Sequence, residues 1–178
     1  RWRDVIAVEI EKSCKCVKLK LPNNKVVDVL SPVLNEMYHW IQDTDGKPES
    51  GGYIVGYRHK ETGHVSLETV SHPYMLDTKN RFRFSIKDPR HILFLKKAER
   101  NKSYYMGVWH THPQRIPSPS SIDWADWTDS LKKEKTGCEY IFFIIVGVEE
   151  WRVWMGDLKN GIIIEIFECE KGKDGLYR

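Results

Sequence analysis

His110-Thr111-His112-Pro113, followed after a proline-bearing loop by Ser120-Ser121-Ile122-Asp123, is the stretch that decides how this chain is read. It gathers two imidazoles and a carboxylate, a donor set that zinc favours. Residues i and i+2 of an extended segment point to one side, so His110 and His112 can close on one ion from a single strand end. Asp123 follows the loop and can supply a third ligand. Three protein ligands leave a fourth position open, which is the arrangement of a catalytic site rather than a structural one. Taken separately, the two halves are less telling. A lone His-x-His is common on strands, and Ser120-x-x-Asp123 also reads as a helix start with Ser capping and Asp near the positive end of the dipole. Capping leaves unexplained why His-x-His-Pro lies just upstream.

Working outward, Tyr104 to Trp109 reads as a buried strand that delivers the two histidines, and Pro113 to Pro119 as a stiff loop. Ser121 to Lys135 reads as a helix ended by Gly137. Far upstream stands Glu49-Ser50-Gly51-Gly52-Tyr53-Ile54-Val55-Gly56, an acid ahead of a glycine-containing strand. On its own Glu49 is a surface charge after a proline, although Gly51-Gly52 permits close backbone approach.

Together these residues resemble the JAMM family, also called the MPN-plus or JAB metalloproteases. Its signature is a distant Glu, then His-x-His-Pro, then Ser-x-x-Asp, with the Ser eight residues after the second His. Glu49, His110, His112, Ser120 and Asp123 fill every position, and the likeness runs from about Ser31 to Gly156. It implies an α+β, MPN/JAB (cytidine deaminase-like) fold with a mixed, largely antiparallel sheet flanked by helices. It implies a Zn2+ ion held by His110, His112 and Asp123, with Glu49 as proton shuttle and Ser120 as oxyanion donor. Asp126, one turn beyond Asp123, is the rival third ligand. One hydroxyl does not easily serve as both cap and donor, so Ser121 is expected to take over the cap. Family members hydrolyse isopeptide or peptide bonds after the tail of a ubiquitin-like protein. The compact size is similar to bacterial JAB-type peptidases encoded beside E1-like and E2-like enzymes in anti-phage defence, whose conjugated targets include a cyclic-oligonucleotide synthase. The alternatives are a phage-tail or other peptidase of the same fold, or a zinc-bearing scaffold module; an intact Glu49 argues against the scaffold.

The 178 residues suit one domain, taken as 1–178. The chain is 40% hydrophobic and 30% charged, an ordinary globular composition, and a net charge of +3 leaves no general nucleic-acid footprint. No apolar run approaches a membrane span. Arg1 stands where an initiator Met would be, so trimming or processing is expected, and nothing argues for a signal peptide. Cys14, Cys16, Cys138 and Cys169 lack zinc-knuckle spacing and read as reduced thiols in a cytoplasmic protein.

Along the chain, Asp4–Ile10, Cys16–Leu21 and Lys25–Leu30 alternate like strands. Ser31-Pro32 is expected to open a helix, with Ser31 as N-cap and Pro32 at its first position, and with Val33, Leu34, Met37, Tyr38 and Ile41 as its apolar stripe. Tyr53–Tyr57 and Val65–Val70 read as strands. Asp88-Pro89 starts a second helix carrying Ile92, Leu93, Leu95 and Ala98. Tyr140–Val148, Trp151–Met155 and Ile162–Cys169 complete the sheet. Ser71–Lys87 has no assignable pattern; it and Trp124–Thr136 match the places where the resembled family carries substrate-contacting insertions. His39, His59, His64, His72 and His91 lie in no ligand spacing and take surface or packing roles. Trp109, Trp124 and Trp127 read as core or pocket wall, with Trp124 and Trp127 as a possible groove lining.

Overall fold

Isoleucine, valine and phenylalanine fill residues 141–146 without a polar break, and the structure shows why: this strand is covered on both faces. Phe142, Ile144 and Val146 join one core cluster with Val27, Val29, Ile54, Leu67 and Met106, while Ile141, Phe143 and Ile145 join a second with Trp127, Leu131 and Trp154. The computed structural model describes residues 16–135 and 138–178. The expected strand at Asp4–Ile10, the expected stop at Gly137 and Cys14 lie outside them.

The described strands are β1 (Val17–Lys20), β2 (Val26–Val29), β3 (Gly51–Arg58), β4 (Val65–Val70), β5 (Thr78–Asn80), β6 (Arg83–Ser85), β7 (Tyr104–Thr111), β8 (Tyr140–Val146), β9 (Trp151–Asp157) and β10 (Ile162–Ile166). The helices are α1 (Ser31–His39), α2 (Arg90–Arg100) and α3 (Ser121–Lys133). Eight strands form one sheet in the order β1-β2-β4-β3-β7-β8-β9-β10, and β5 and β6 form a separate hairpin. Among the described residues only β2–β4 and β7–β8 pair in parallel. The other pairings in the large sheet are antiparallel. The mixed, largely antiparallel α+β reading therefore stands, with one correction. The sheet does not lie as an open layer between helices; it curls until its ends nearly meet. Lys20 N donates to Phe167 O at 2.9 Å and Cys169 N to Lys18 O at 2.8 Å, so the segment after β10 pairs with the edge of β1. The right-handed twist of successive strands brings the ends together. No helix of the described residues is long and apolar enough to cross a membrane.

Two helix details differ from expectation. Leu30 rather than Ser31 is the N-cap of α1, and no side chain caps it. Leu30 N is bonded to Leu67 O on β4, which holds Leu30 extended and moves Ser31 and Pro32 one position into the helix. Val33, Leu34 and Met37 are buried as expected. In α2, Ile92 and Leu93 face outward, and the buried residues are His91 and Ala98. A buried polar chain turns the helix this way. His91 Nε2 meets Asp77 Oδ2 at 2.7 Å, and His91 Nδ1 meets Ser71 Oγ at 2.7 Å. Asp77 also accepts the backbone N–H groups of Tyr74, Lys87 and Asp88. Each member has its partners, so burial of the chain is affordable. It staples residues 71–88, unassigned from sequence, against β3 and α2.

Candidate metal centre

β7 carries His110 in its last turn of pleat, and His112 follows just beyond its end. Their shared face brings the two Nε2 atoms to 3.0 Å. The chain then loops through Pro113–Pro119 and enters α3, where Asp123 reaches back: Oδ1 lies 3.1 Å from His110 Nε2 and Oδ2 lies 3.4 Å from His112 Nε2. Glu49 arrives from the segment before β3, with Oε1 3.9 Å from His110 Nε2. Gly51 and Gly52 permit that approach, since a Cβ at either would collide with the backbone of Trp109 or Ser71.

Donor spacing separates the two acids. Ligands at about 2.0–2.1 Å on a tetrahedral ion lie about 3.3–3.4 Å apart. The His110–His112 separation of 3.0 Å is close to such an edge; Asp123 meets the two rings through different oxygens, at 3.1 and 3.4 Å, and Glu49 stands 3.9 Å from His110. Glu49, His110 and His112 do offer atoms within 4.8 Å of one another, so Glu49 borders the same space. Asp123 makes the shorter contacts and reaches both rings, while Glu49 is the alternative third donor. Asp126 lines the same pocket, but both imidazoles make their close contacts with Asp123.

Acidities point the same way. Burial pushes the Glu49 carboxyl up to about 8, with His112 opposing and Asp123 adding to the rise. Burial also works against ionised Asp123, but hydrogen bonds from His110, His112 and Ser120 N hold it well below the usual carboxylate range. Two carboxylates driven apart in this way suit different tasks, one as a fixed anion and the other as a proton carrier. Burial lowers His110 despite its Asp123 partner, whereas for His112 the bonds to Asp123 and Gln114 outweigh burial and raise it.

Ser120 is the N-cap of α3, and the capping box is complete. Its Oγ accepts Asp123 N at 3.1 Å, and Asp123 Oδ2 accepts Ser120 N at 2.6 Å. Ser121 therefore does not take the cap, contrary to expectation. The cap uses a lone pair of Oγ and leaves the O–H free to donate, so one hydroxyl can hold both roles.

Three contributors escaped the sequence. Gln114 Oε1 lies 3.1 Å from His112 Nδ1 and accepts Ser118 N at 3.0 Å. An amide oxygen only accepts, so Nδ1 carries a hydrogen; in the protonated ring Nε2–H donates to Asp123, and in the neutral ring the Nε2 lone pair is free for a metal. Thr111 and Gln42 lie buried behind the histidines and bond to each other. A Gln two residues past a His, and a Gln sixty-nine residues before a Thr, carry no sequence signal of pairing.

These groups open on a pocket of about 900 Å³ walled by Tyr53, Phe84, Tyr105, Trp109 and Trp127, with Ser120, Asp123, Asp126, Ser130 and Glu134 along its α3 side. The β5–β6 hairpin contributes Phe82 to Ser85 to the opposite rim. Trp127 is both wall and core, stacked on Phe143 with ring centres 4.8 Å apart, while Trp124 lies outward and half exposed.

A family model described as prokaryotic homologs of the JAB domain matches residues 30–156. A protein of Escherichia coli (strain TW11681) named CD-NTase/cGAS isopeptidase is 30% identical over 144 residues, 79% of this chain and 86% of that protein. Proteins of the same name from Vibrio cholerae and Pseudomonas aeruginosa are each 27% identical, covering 78% and 64% of this chain and 85% and 72% of their own lengths.

Proposed function

The chain belongs to the family of prokaryotic JAB-domain homologues, and from that premise we propose that it is a zinc-dependent isopeptidase. The observation that carries the reading is the donor triangle of His110, His112 and Asp123, with Glu49 just outside it. Two imidazoles and a carboxylate suit zinc among the available metals. When bound, zinc supplies an acidified water and a Lewis-acid contact for a carbonyl. Glu49 takes a proton from the attacking water at Oε1 and returns it to the leaving amine. Ser120 donates its O–H to the oxygen that gains charge as the carbonyl carbon becomes tetrahedral. Gln114 fixes the His112 ring, and the capping box fixes Asp123.

The pocket continues beside α3 from Asp123 to Glu134, about 16 Å at 1.5 Å per residue, which accommodates an extended tail of roughly five residues. The substrate proposed is the flexible C-terminal tail of a ubiquitin-like protein, or a target joined through such a tail by E1-like and E2-like enzymes. The names of the similar proteins favour a CD-NTase as that target; the setting proposed with it, from the sequence resemblance, is anti-phage defence in the cytoplasm.

The test is Glu49→Gln with zinc content measured beside turnover on paired ubiquitin-like fusions ending in Gly or in a bulky residue. Zinc should stay near one per chain while cleavage of the Gly fusion falls below detection, and the wild type should reject the bulky fusion. Loss of zinc in Glu49→Gln would make Glu49 a ligand, and equal cutting of both fusions would point to a general peptidase.

A further inference from the structure

Thr111 stands between the two histidines and points to the opposite side of the strand, into the interior, where it is fully buried. Its Oγ1 accepts Ser50 N at 2.9 Å and donates to Gln42 Oε1 at 2.8 Å, and its own N–H donates to Ser50 O at 2.8 Å. Gln42, also buried, spends its amide hydrogens on Lys47 O at 3.2 Å and Arg81 O at 3.0 Å. Glu49 N completes the set by donating to Asn80 O at 2.7 Å. The segment that carries Glu49 has no regular structure of its own, yet it is bonded at Lys47, Glu49 and Ser50. Its anchors are the histidine strand and the β5–β6 hairpin.

We infer that Thr111 and Gln42 are positioning residues, which lock the Glu49 carboxylate at its distance from the His110–His112 pair. This rests on the isopeptidase reading for its catalytic consequence. The geometry argues for more than packing. A threonine hydroxyl that only filled space would not need to accept from the residue next to Glu49 while donating to a glutamine that holds Lys47. The arrangement sets base and ligands as one unit: a displacement of either segment breaks bonds to the other. A misplacement of about 1 Å near the reacting atoms can cost about a hundredfold in rate.

The test compares Thr111→Val, Thr111→Ser and Gln42→Met in the full zinc-loaded chain. Thr111→Val keeps the shape and removes the hydroxyl. It should retain one zinc per chain and the wild-type KM, and kcat should fall roughly 10–100-fold, the usual range for outer-shell partners. Thr111→Ser should return kcat to within about threefold of wild type, keeping the hydroxyl. Hydrogen exchange over residues 42–50, which needs no substrate, should accelerate in Thr111→Val and stay slow in Thr111→Ser. Should Thr111→Val fail to fold, Gln42→Met carries the same expectations. Unchanged kcat in a folded variant, unchanged exchange, or loss of zinc would each overturn the positioning role. A zinc-loaded wild type that cleaves no conjugate overturns the isopeptidase reading and this catalytic role with it, whereas an active wild type matched by an equally active Thr111→Val overturns this role alone.

Discussion

Removing the Ser120 hydroxyl separates the capping role that the structure shows from the oxyanion role proposed for the same atom. Ser120→Ala loses the Asp123 N to Oγ bond but keeps the reciprocal Ser120 N to Asp123 Oδ2 bond, because that donor is backbone. Replacing a Ser cap by Ala costs about 1 kcal/mol, and replacing it by Gly only a few tenths. For a chain of this size 1 kcal/mol lowers Tm by about 2–4 °C. Ser120→Gly should therefore melt close to wild type and Ser120→Ala a few degrees below it. Loss of an oxyanion donor is a different scale, about 2.7–4 kcal/mol in the barrier or 10²–10³ in kcat. Both variants should show that loss equally, with zinc retained because Asp123 keeps its backbone partner. The assay is steady-state cleavage of a tailed fusion at 25 °C beside thermal melts and metal analysis. If Ser120→Gly keeps turnover within about threefold of wild type, or if turnover tracks Tm across the pair, the hydroxyl is a cap and nothing more.

His112→Ala and Asp123→Ala should each leave a two-donor site and lose zinc by elemental analysis; full occupancy in either would require a different third ligand. Chelation should abolish cleavage and thiol-blocking reagents should not, since no cysteine among the described residues lines the pocket; thiol sensitivity would contradict the assignment. Trp127→Ala, which removes a buried ring stacked on Phe143 and Trp154, should cost about 3–5 kcal/mol, read as a fall in Tm of roughly 6–20 °C; a smaller shift would mean the second core collapses onto the gap. Burial would raise the Asp77 carboxyl, but the N–H groups of Tyr74, Asp88 and Lys87, with His91, hold it below its ordinary value. A depressed folded pKa stabilises above the unfolded value near 4 and is lost as pH falls through the folded one, so Tm should drop below about pH 4. Asp77→Asn should flatten that limb, and an unchanged slope would remove Asp77 as its source.

The clustering of His110, His112, Ser120 and Asp123 was legible because they lie in one short stretch, and the pleat and helix turn that unite them follow from residue spacing; Glu49, far upstream, was placed by the family resemblance. Strands β2, β4 and β8 were legible through apolar patterning. The β5–β6 hairpin was not, because Thr78–Asn80 is exposed and offers no apolar alternation. The roll of α2 was hidden because His91 counts as polar, and only Asp77 and Ser71, distant in sequence, make its burial tolerable. Gln42 was missed for the same reason, since its partner Thr111 is set by the fold rather than by spacing.

The seam between β1 and residues 167–169 also sets a schedule for synthesis. The strand that needs closing emerges near the beginning of the described chain and its partner near the end. At about 5–20 residues per second, the intervening stretch of roughly 150 residues takes about 7–30 s to emerge, and throughout that time one edge of β1 is open to other strands. Lys18 and Lys20 fall on this edge, charged residues of the kind that discourage wrong pairing while a chain waits for its own last strand.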